Sequence, residues 1–207
     1  MKILIVSDAW YPQINGVVNT ILCTTSCLNE LGHQVIMLTP ERFKTIPCPT
    51  YPEIRLSVFP KKRVEKFLNA KEFDSIHIAT EGPLGIAVRN YAVKNKLKFT
   101  TAFHTKFPDY IKARIGLPTS ISYSFLRWFH KQSEAVLTPT VSIIKELNIY
   151  RVGNPVYWPR GVETEFFRPF PNRKPNREPV FLFVGRIAIE KNIEAFLSLE
   201  LKGKKYV

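Results

Sequence analysis

Apolar and polar positions alternate along the chain in two rhythms. KILIV at 2–6 is an unbroken apolar run ending on Ser7-Asp8, which predicts a strand buried in a parallel sheet. A loop with Pro12 and Gly16 follows. Then Val17, Val18, Ile21, Leu22, Leu28 and Leu31 recur at helical spacing as far as Gly32, which suits a helix stop. QVIML at 34–38 is the next strand. Strand, helix and strand in this order predict a β-α-β crossover, which places both strands in one parallel sheet.

The same pattern predicts strands over 54–59, 75–79, 99–103, 135–138 and 156–158. It predicts helices over 63–70, 84–95, 119–132 and 141–147. Regular alternation of this kind implies an α/β fold, a doubly wound, Rossmann-like parallel sheet, occupying residues 1–169. FPNRKPNREP at 170–179 is polar, basic and proline-rich, and is read as a linker. A strand over 180–184 and a helix from about 190 then open a second unit over 180–207. One strand and one helix cannot bury a core, so this segment is expected to be the truncated start of a second domain.

Composition changes the picture in two ways. The net charge of +13 favours an anionic contact: nucleotide phosphates, acidic lipid headgroups or nucleic acid. Lys61, Lys62, Arg63 and Lys66 are the densest basic group, with others at Lys94, Lys96 and Lys98 and at Arg173, Lys174 and Arg177. A spread of this kind suits a solvated surface or a membrane-facing patch. No helix-turn-helix, zinc knuckle or aromatic-basic RNA motif accompanies it, so nucleic acid is not expected as a partner. No apolar run approaches the ~20 residues of a membrane span, and the opening run is too short for a signal core. The chain is therefore read as cytoplasmic and as starting at Met1. Cys23, Cys27 and Cys48 form neither a disulfide framework nor a zinc site, and are expected to be small buried or half-buried thiols.

In an open α/β sheet, ligands bind beyond the carboxyl ends of the strands, so chemistry is sought there. Ser7 and Asp8 follow the first strand. Gly16 lies where the next loop meets a helix, as either an anion-binding backbone or a plain turn. Thr80, Glu81 and Gly82 follow the strand at 75–79. His104 follows the strand at 99–103, where it faces a cleft or serves the structure. Gly185-Arg186 and Lys191 follow the last strand, a pattern that suits a pyrophosphate clamp or ordinary helix-start polarity.

Five ordered segments carry a resemblance: DAWYPQINGVVNT (8–20), HIATEGPLG (77–85), FHTKFPDY (103–110), PRGVETEFFRP (159–169) and FVGRIAIEKN (183–192). Together they resemble the family-4 retaining glycosyltransferases of GT-B architecture. The nearest members are bacterial GDP-mannose-dependent α-mannosyltransferases and plant sulfoquinovosyltransferases. The resemblance implies the N-terminal, acceptor-side lobe of a GT-B fold followed by a strand-helix stub of the donor lobe. It implies transfer of a hexose, mannose foremost, from a GDP- or UDP-sugar to a lipid or glycan with retention. No metal or other cofactor is expected.

The resemblance also implies roles for residues. Gly16 would lend its N–H beside the donor phosphates. His104 would contact the transferred sugar, and Arg186 and Lys191 would bind the pyrophosphate and steady the leaving group. His104, Arg186 and Lys191 are thus the catalytic candidates, while Glu81 and Tyr110 would line the acceptor side. Glu163 stands where the family's hinge segment has aspartate. The paired glutamates of the family's donor lobe would lie beyond position 207, so an incomplete and inactive chain is expected. A competing reading is a non-catalytic module for anionic membrane surfaces, supported by the charge and by the aromatics Tyr123, Phe125, Trp128 and Phe129, which otherwise form a core helix. Either reading allows a peripheral location on the inner face of the cytoplasmic membrane.

Overall fold

The computed structural model describes residues 1–13, 15–48, 51–169, 171, 177–185, 187 and 191–207. It begins with the crossover β1 (Lys2–Val6), α1 (Gly16–Glu30) and β2 (Gln34–Leu38). A hairpin, β3 (Thr45–Cys48) and β4 (Tyr51–Ser57), leads to α2 (Lys61–Asn69). There follow β5 (Ser75–Ile78), α3 (Pro83–Lys94), β6 (Thr100–Ala102), α4 (Phe107–Ile115), α5 (Thr119–His130), β7 (Val136–Thr138), α6 (Val141–Ile149) and β8 (Pro155–Tyr157). The last elements are β9 (Val180–Leu182), α7 (Ile193–Ser198) and β10 (Lys204–Tyr206).

Six strands form one sheet in the order β2-β1-β5-β6-β7-β8, parallel throughout. The step from β1 to β2 runs one way along the sheet and the steps from β5 to β8 run the other. Right-handed crossovers then send the helices to opposite faces. On one face Leu4, Val6, Leu38, Ile76 and Ile78 are covered by Val64 and Leu68 of α2 and by Leu84 and Val88 of α3. Phe129 of α5 joins that core, and Leu126 of α5 and Leu147 of α6 extend it over Val136. On the other face Ile5 and Ala79 pack with Ile21 of α1. The central strands are short, and β1 is largely apolar because both of its faces are covered.

The structure departs from the sequence pattern at four places. The run at 54–59 is not a sheet strand in the alternation; β4 pairs antiparallel with β3, through Thr45↔Ser57 and Ile46↔Leu56, in a hairpin of its own. Glu53 and Arg55 alternate there with Ile54 and Leu56, a one-sided pattern that a buried parallel strand does not carry. Helix α4 falls in the segment after β6, to which the pattern assigns no element. Pro108 stands in its first turn, where a missing N–H costs nothing, and Gly116 ends it at φ 69°. Cys23 and Cys27 are exposed, not buried, since Val18 and Ile21 take the inward stripe of α1. Finally, β10 pairs in parallel with β9 through Lys205↔Phe181, so 180–207 holds two strands and a helix. Most of the linker segment 170–179 lies outside the described residues.

The aromatic helix serves mainly as core. Tyr123 and Phe129 are buried, and Phe125 packs against both cores. Trp128 is 42% exposed, with the Arg89 guanidinium 4.3 Å from its ring centroid. Among the described residues, no helix is long and apolar enough to cross a membrane.

Candidate functional site

The order of the sheet reverses between β1 and β5, since successive crossovers leave those neighbours in opposite directions. The carboxyl ends of two such strands leave a crevice between the loops that follow them. Asp8 fills its floor. Its Oδ1 accepts from the Leu84 N–H at 2.8 Å and its Oδ2 from the Gly85 N–H at 3.1 Å. Thr80 donates its hydroxyl to Oδ2 at 3.0 Å and accepts the Asp8 N–H at 2.7 Å. A carboxylate thus caps the first turn of α3 from 76 residues away. A Cβ on Gly82 would lie 2.4 Å from the Asp8 carboxyl carbon, so glycine is required for this approach. Burial nonetheless raises the Asp8 pKa to about 6, outweighing the hydrogen bonds from Leu84, Gly85 and Thr80 that lower it.

One wall is the N-terminus of α1. Asn15 is its N-cap, and the side-chain oxygen accepts from the Val17 and Val18 amides, both at 3.0 Å. The Gly16 N–H is not taken by this cap. Opposite stands His104, just past β6. Arg160, in the segment after β8, reaches both: its Nη1 is 3.6 Å from where a Gly16 Cβ would be, and its Nη2 donates to the His104 carbonyl at 2.7 Å. The same Nη2 is 3.2 Å from His104 Nδ1. Trp158 meets the His104 ring edge-on at 6.0 Å. Beneath these groups, on the α1 face of the sheet, lies a pocket of about 200 Å³ lined by Ile5, His77, Thr100, His104 and Trp158 among others. Burial holds the His104 pKa down to about 3, with Arg160 and His77 adding to the effect, and burial alone lowers His77 to about 4.

The other sequence-derived candidates divide. Glu81 sits at the crevice with its Oε1 turned inward, 3.5 Å from Nε2 of the fully buried His130. His130 Nδ1 in turn lies 2.8 Å from the Thr101 hydroxyl. Tyr110 is half-buried on α4, a helix held through Lys106, which pairs with Glu146 of α6 at 2.7 Å. Lys191 is exposed and belongs to the separate β9–β10 unit. Arg186 lies outside the described residues. The structure therefore brings Gly16, His104 and Glu81 to the strand ends and adds Asp8, Thr80, Arg160 and His130. Asp8 and Thr80 follow strand ends in the sequence and were legible as such. Arg160 lies in the 159–169 segment that the resemblance marks, but neither it nor His130 announces its partner locally, because their contacts span 56 and 29 residues. Among the described residues no group of three His, Cys, Asp or Glu is placed to hold a metal.

The chain is similar in sequence and fold to known proteins. The sequence profile of Glycosyltransferase Family 4 matches residues 14–166. A GDP-mannose-dependent alpha-mannosyltransferase of Mycolicibacterium smegmatis is 25% identical, over 94% of this chain and 58% of its own length. The sulfoquinovosyl transferase of Arabidopsis thaliana is also 25% identical, over 95% of this chain and 44% of its own. An alpha-monoglucosyldiacylglycerol synthase of Streptococcus pneumoniae is 26% identical over 95% and 51%. The chain thus spans about half the length of these relatives. The solved structure of a sucrose-phosphate synthase from Thermosynechococcus elongatus superposes with a TM-score of 0.70 at 19% identity, over 95% of this chain and 58% of that one, and shares the fold.

Proposed function

The chain belongs to glycosyltransferase family 4, and from that premise we propose that it is the acceptor-side lobe of an enzyme that moves a hexose from a nucleoside-diphosphate sugar to a lipid or glycan. Mannose from GDP-mannose is the first candidate, a UDP-sugar the second, and configuration is retained. The observation that carries this reading is the crevice at the sheet's reversal point, where the α1 N-terminus, the Arg160 cation and the half-buried His104 converge. That set suits a phosphorylated sugar: an amide and a guanidinium for phosphate oxygens, an imidazole for a hydroxyl. In this reading Glu81 and Tyr110 flank the acceptor. Arg186 and Lys191 would clamp the pyrophosphate, and no metal takes part. Catalysis rests on positioning and on charge stabilisation of the leaving group.

The acceptor proposed is a membrane lipid, met at the inner face of the cytoplasmic membrane. On α2, Lys61, Lys62, Arg63 and Lys66 are exposed while Val64 and Leu68 are buried, and Phe59 beside them is 91% exposed. Basic side chains around an exposed aromatic suit an anionic bilayer. Replacing Lys61, Lys62 and Arg63 by Glu is expected to weaken flotation with anionic liposomes about a hundredfold or more, at roughly 1 kcal/mol per cation removed. Equal flotation of wild type and variant would remove the membrane from the reading.

Amide chemical-shift mapping with GDP-mannose, UDP-glucose and lipid micelles tests the site. Shifts are expected at Gly16, Glu81, His104 and Tyr110. Shifts confined to another face, or none at millimolar ligand, would overturn the reading. Sugar transfer by the 207 residues alone is expected at background, because no residue of α7 is buried and the donor clamp has no core behind it.

A further inference from the structure

We propose that Arg160 is a positioning residue that fixes His104 as an imidazole bearing its proton on Nε2, so that His104 meets its ligand as a neutral hydrogen-bond donor. This deepens the functional reading above and rests on it only for the identity of the ligand.

A guanidinium has five N–H donors and no acceptor. Arg160 Nη2 lies 2.7 Å from the His104 carbonyl oxygen and 3.2 Å from His104 Nδ1. Both of its hydrogens thus have acceptors on one residue, and Nδ1 must offer a lone pair. The ring proton therefore resides on Nε2. The carbonyl contact makes this arrangement independent of the ring: even if the imidazole turned, the cation would stay, and a protonated Nδ1 would face it directly. Trp158, edge-on at 6.0 Å, limits such a turn.

At its other end Arg160 stands beside the start of α1. The vacant Cβ position of Gly16 lies 3.6 Å from Nη1, so the guanidinium fills the space between the start of α1 and His104. It spans the crevice from its anion-facing wall to its imidazole wall. A shorter side chain would leave that space open.

His104 Nε2 is buried and has no hydrogen-bond partner among the described residues. A buried donor without an acceptor costs about 1–3 kcal/mol. An oxygen acceptor on a ligand, whether hydroxyl or phosphoryl, would recover that cost on binding, which gives the orphaned N–H a reason to be there. The charged or titratable groups acting on the ring are Arg160, after β8, and His77, on β5. Both oppose a second proton, as does burial, and His104 stays neutral down to about pH 3.

The test is nitrogen-detected NMR on the histidine-labelled 207-residue chain, with the His104→Asn spectrum assigning the resonances. In the wild type Nδ1 is expected to read as an unprotonated acceptor and Nε2 as protonated, with no titration from pH 8 to the acid limit of folding. Arg160→Met removes the cation, and His104 should then begin to take a proton above the acid limit of folding. Arg160→Lys keeps the cation, and should, like the wild type, show no protonation of His104 above the acid limit of folding. A protonated Nδ1 in the wild type, or an Arg160→Met ring that stays as free of protonation as the wild type's, overturns the proposal. Should Arg160→Met fail to fold, the wild-type ring and the Lys variant still decide. No donor or acceptor enters this readout, so failure of the sugar-transfer reading and failure of this one are separate results.

Discussion

The crossover β1–α1–β2 and the crossover β9–α7–β10 follow the same connectivity, and both pair their strands in parallel. They differ in what lies behind them. In the first, Leu4, Ile5, Val6, Val18, Ile21 and Leu38 are buried, because β5 continues the sheet and α2 and α3 cover the opposite face. In the second, the strands have three residues each, no residue of α7 is buried, and Leu182, Val184 and Leu197 are 65%, 83% and 52% exposed. The apolar residues are present in both. Burial comes from a further layer of structure, not from the crossover.

Hydrogen exchange gives the widest separation between the two. Amides of β1 are expected to exchange only with global opening, which costs about 5–15 kcal/mol in a domain of this kind. Those of β9 and β10 should exchange at least about a thousandfold faster, since local opening there exposes little. Comparable protection in both sheets would break the contrast. Side-chain deletion should follow. Leu4→Ala, at a site with no exposure, is expected to cost about 2–5 kcal/mol in urea denaturation. Leu182→Ala, 65% exposed, should stay within about 0.5 kcal/mol.

Asp8 sharpens the contrast through pH. Its folded pKa of about 6 lies above its ordinary value of 3.8, so the folded state holds the proton more tightly. Its contribution to stability is full below about pH 4 and is lost as pH rises through 6, on the order of 3 kcal/mol in all. His77 and His104, both lowered, act in the opposite sense: their contribution is full above pH 6.5 and is lost as pH falls. Asp8→Asn should therefore leave the histidine slope unopposed. Denaturation midpoints at pH 7.5 and 4.5 should fall more steeply on acidification in the variant than in the wild type. Equal slopes would mean that Asp8 is ionised throughout.

Two glycines complete the comparison. A Cβ on Gly85 would stand 2.0 Å from the Thr80 carbonyl oxygen, and one on Gly203 would stand 2.3 Å from that of Pro179. The local clash is similar. Gly85→Ala is expected to cost about 1–3 kcal/mol of global stability, because α3 must shift against the sheet. Gly203→Ala should leave the denaturation midpoint unchanged, because its unit contributes nothing to the shared core.

Much of this body was legible in the residues themselves. The unbroken run KILIV and the helical spacing from Val17 to Leu28 locate the first crossover within a residue or so. Such runs are local and period-bound, so one sequence suffices to see them. The hairpin was harder, because Ile54 and Leu56 read as a strand without saying which partner they take; Thr45 and Ile46 of β3 supply it. Helix α4 was hidden by Pro108, which breaks a helix interior but fits a first turn. Among the site residues, Gly16, Glu81 and His104 lie at strand or helix ends and so declare their places. Nothing near Arg160 announces that it will rest on His104, since that contact depends on where β8 closes the sheet.

The cap that Asp8 places on α3 has a consequence for how the chain acquires its shape. Residue 8 leaves the ribosome long before residues 84 and 85, and until they emerge the carboxylate has no amides to accept from. β1 also waits for β5, its sheet neighbour across the same gap. At a synthesis rate of about 5–20 residues per second, the first crossover exists for several seconds with β2 alone beside it. Its Leu4 and Val6 face is then open to water or to a chaperone. The same reversal of strand order that makes the crevice makes the native contacts of the first crossover wait for the chain beyond residue 75.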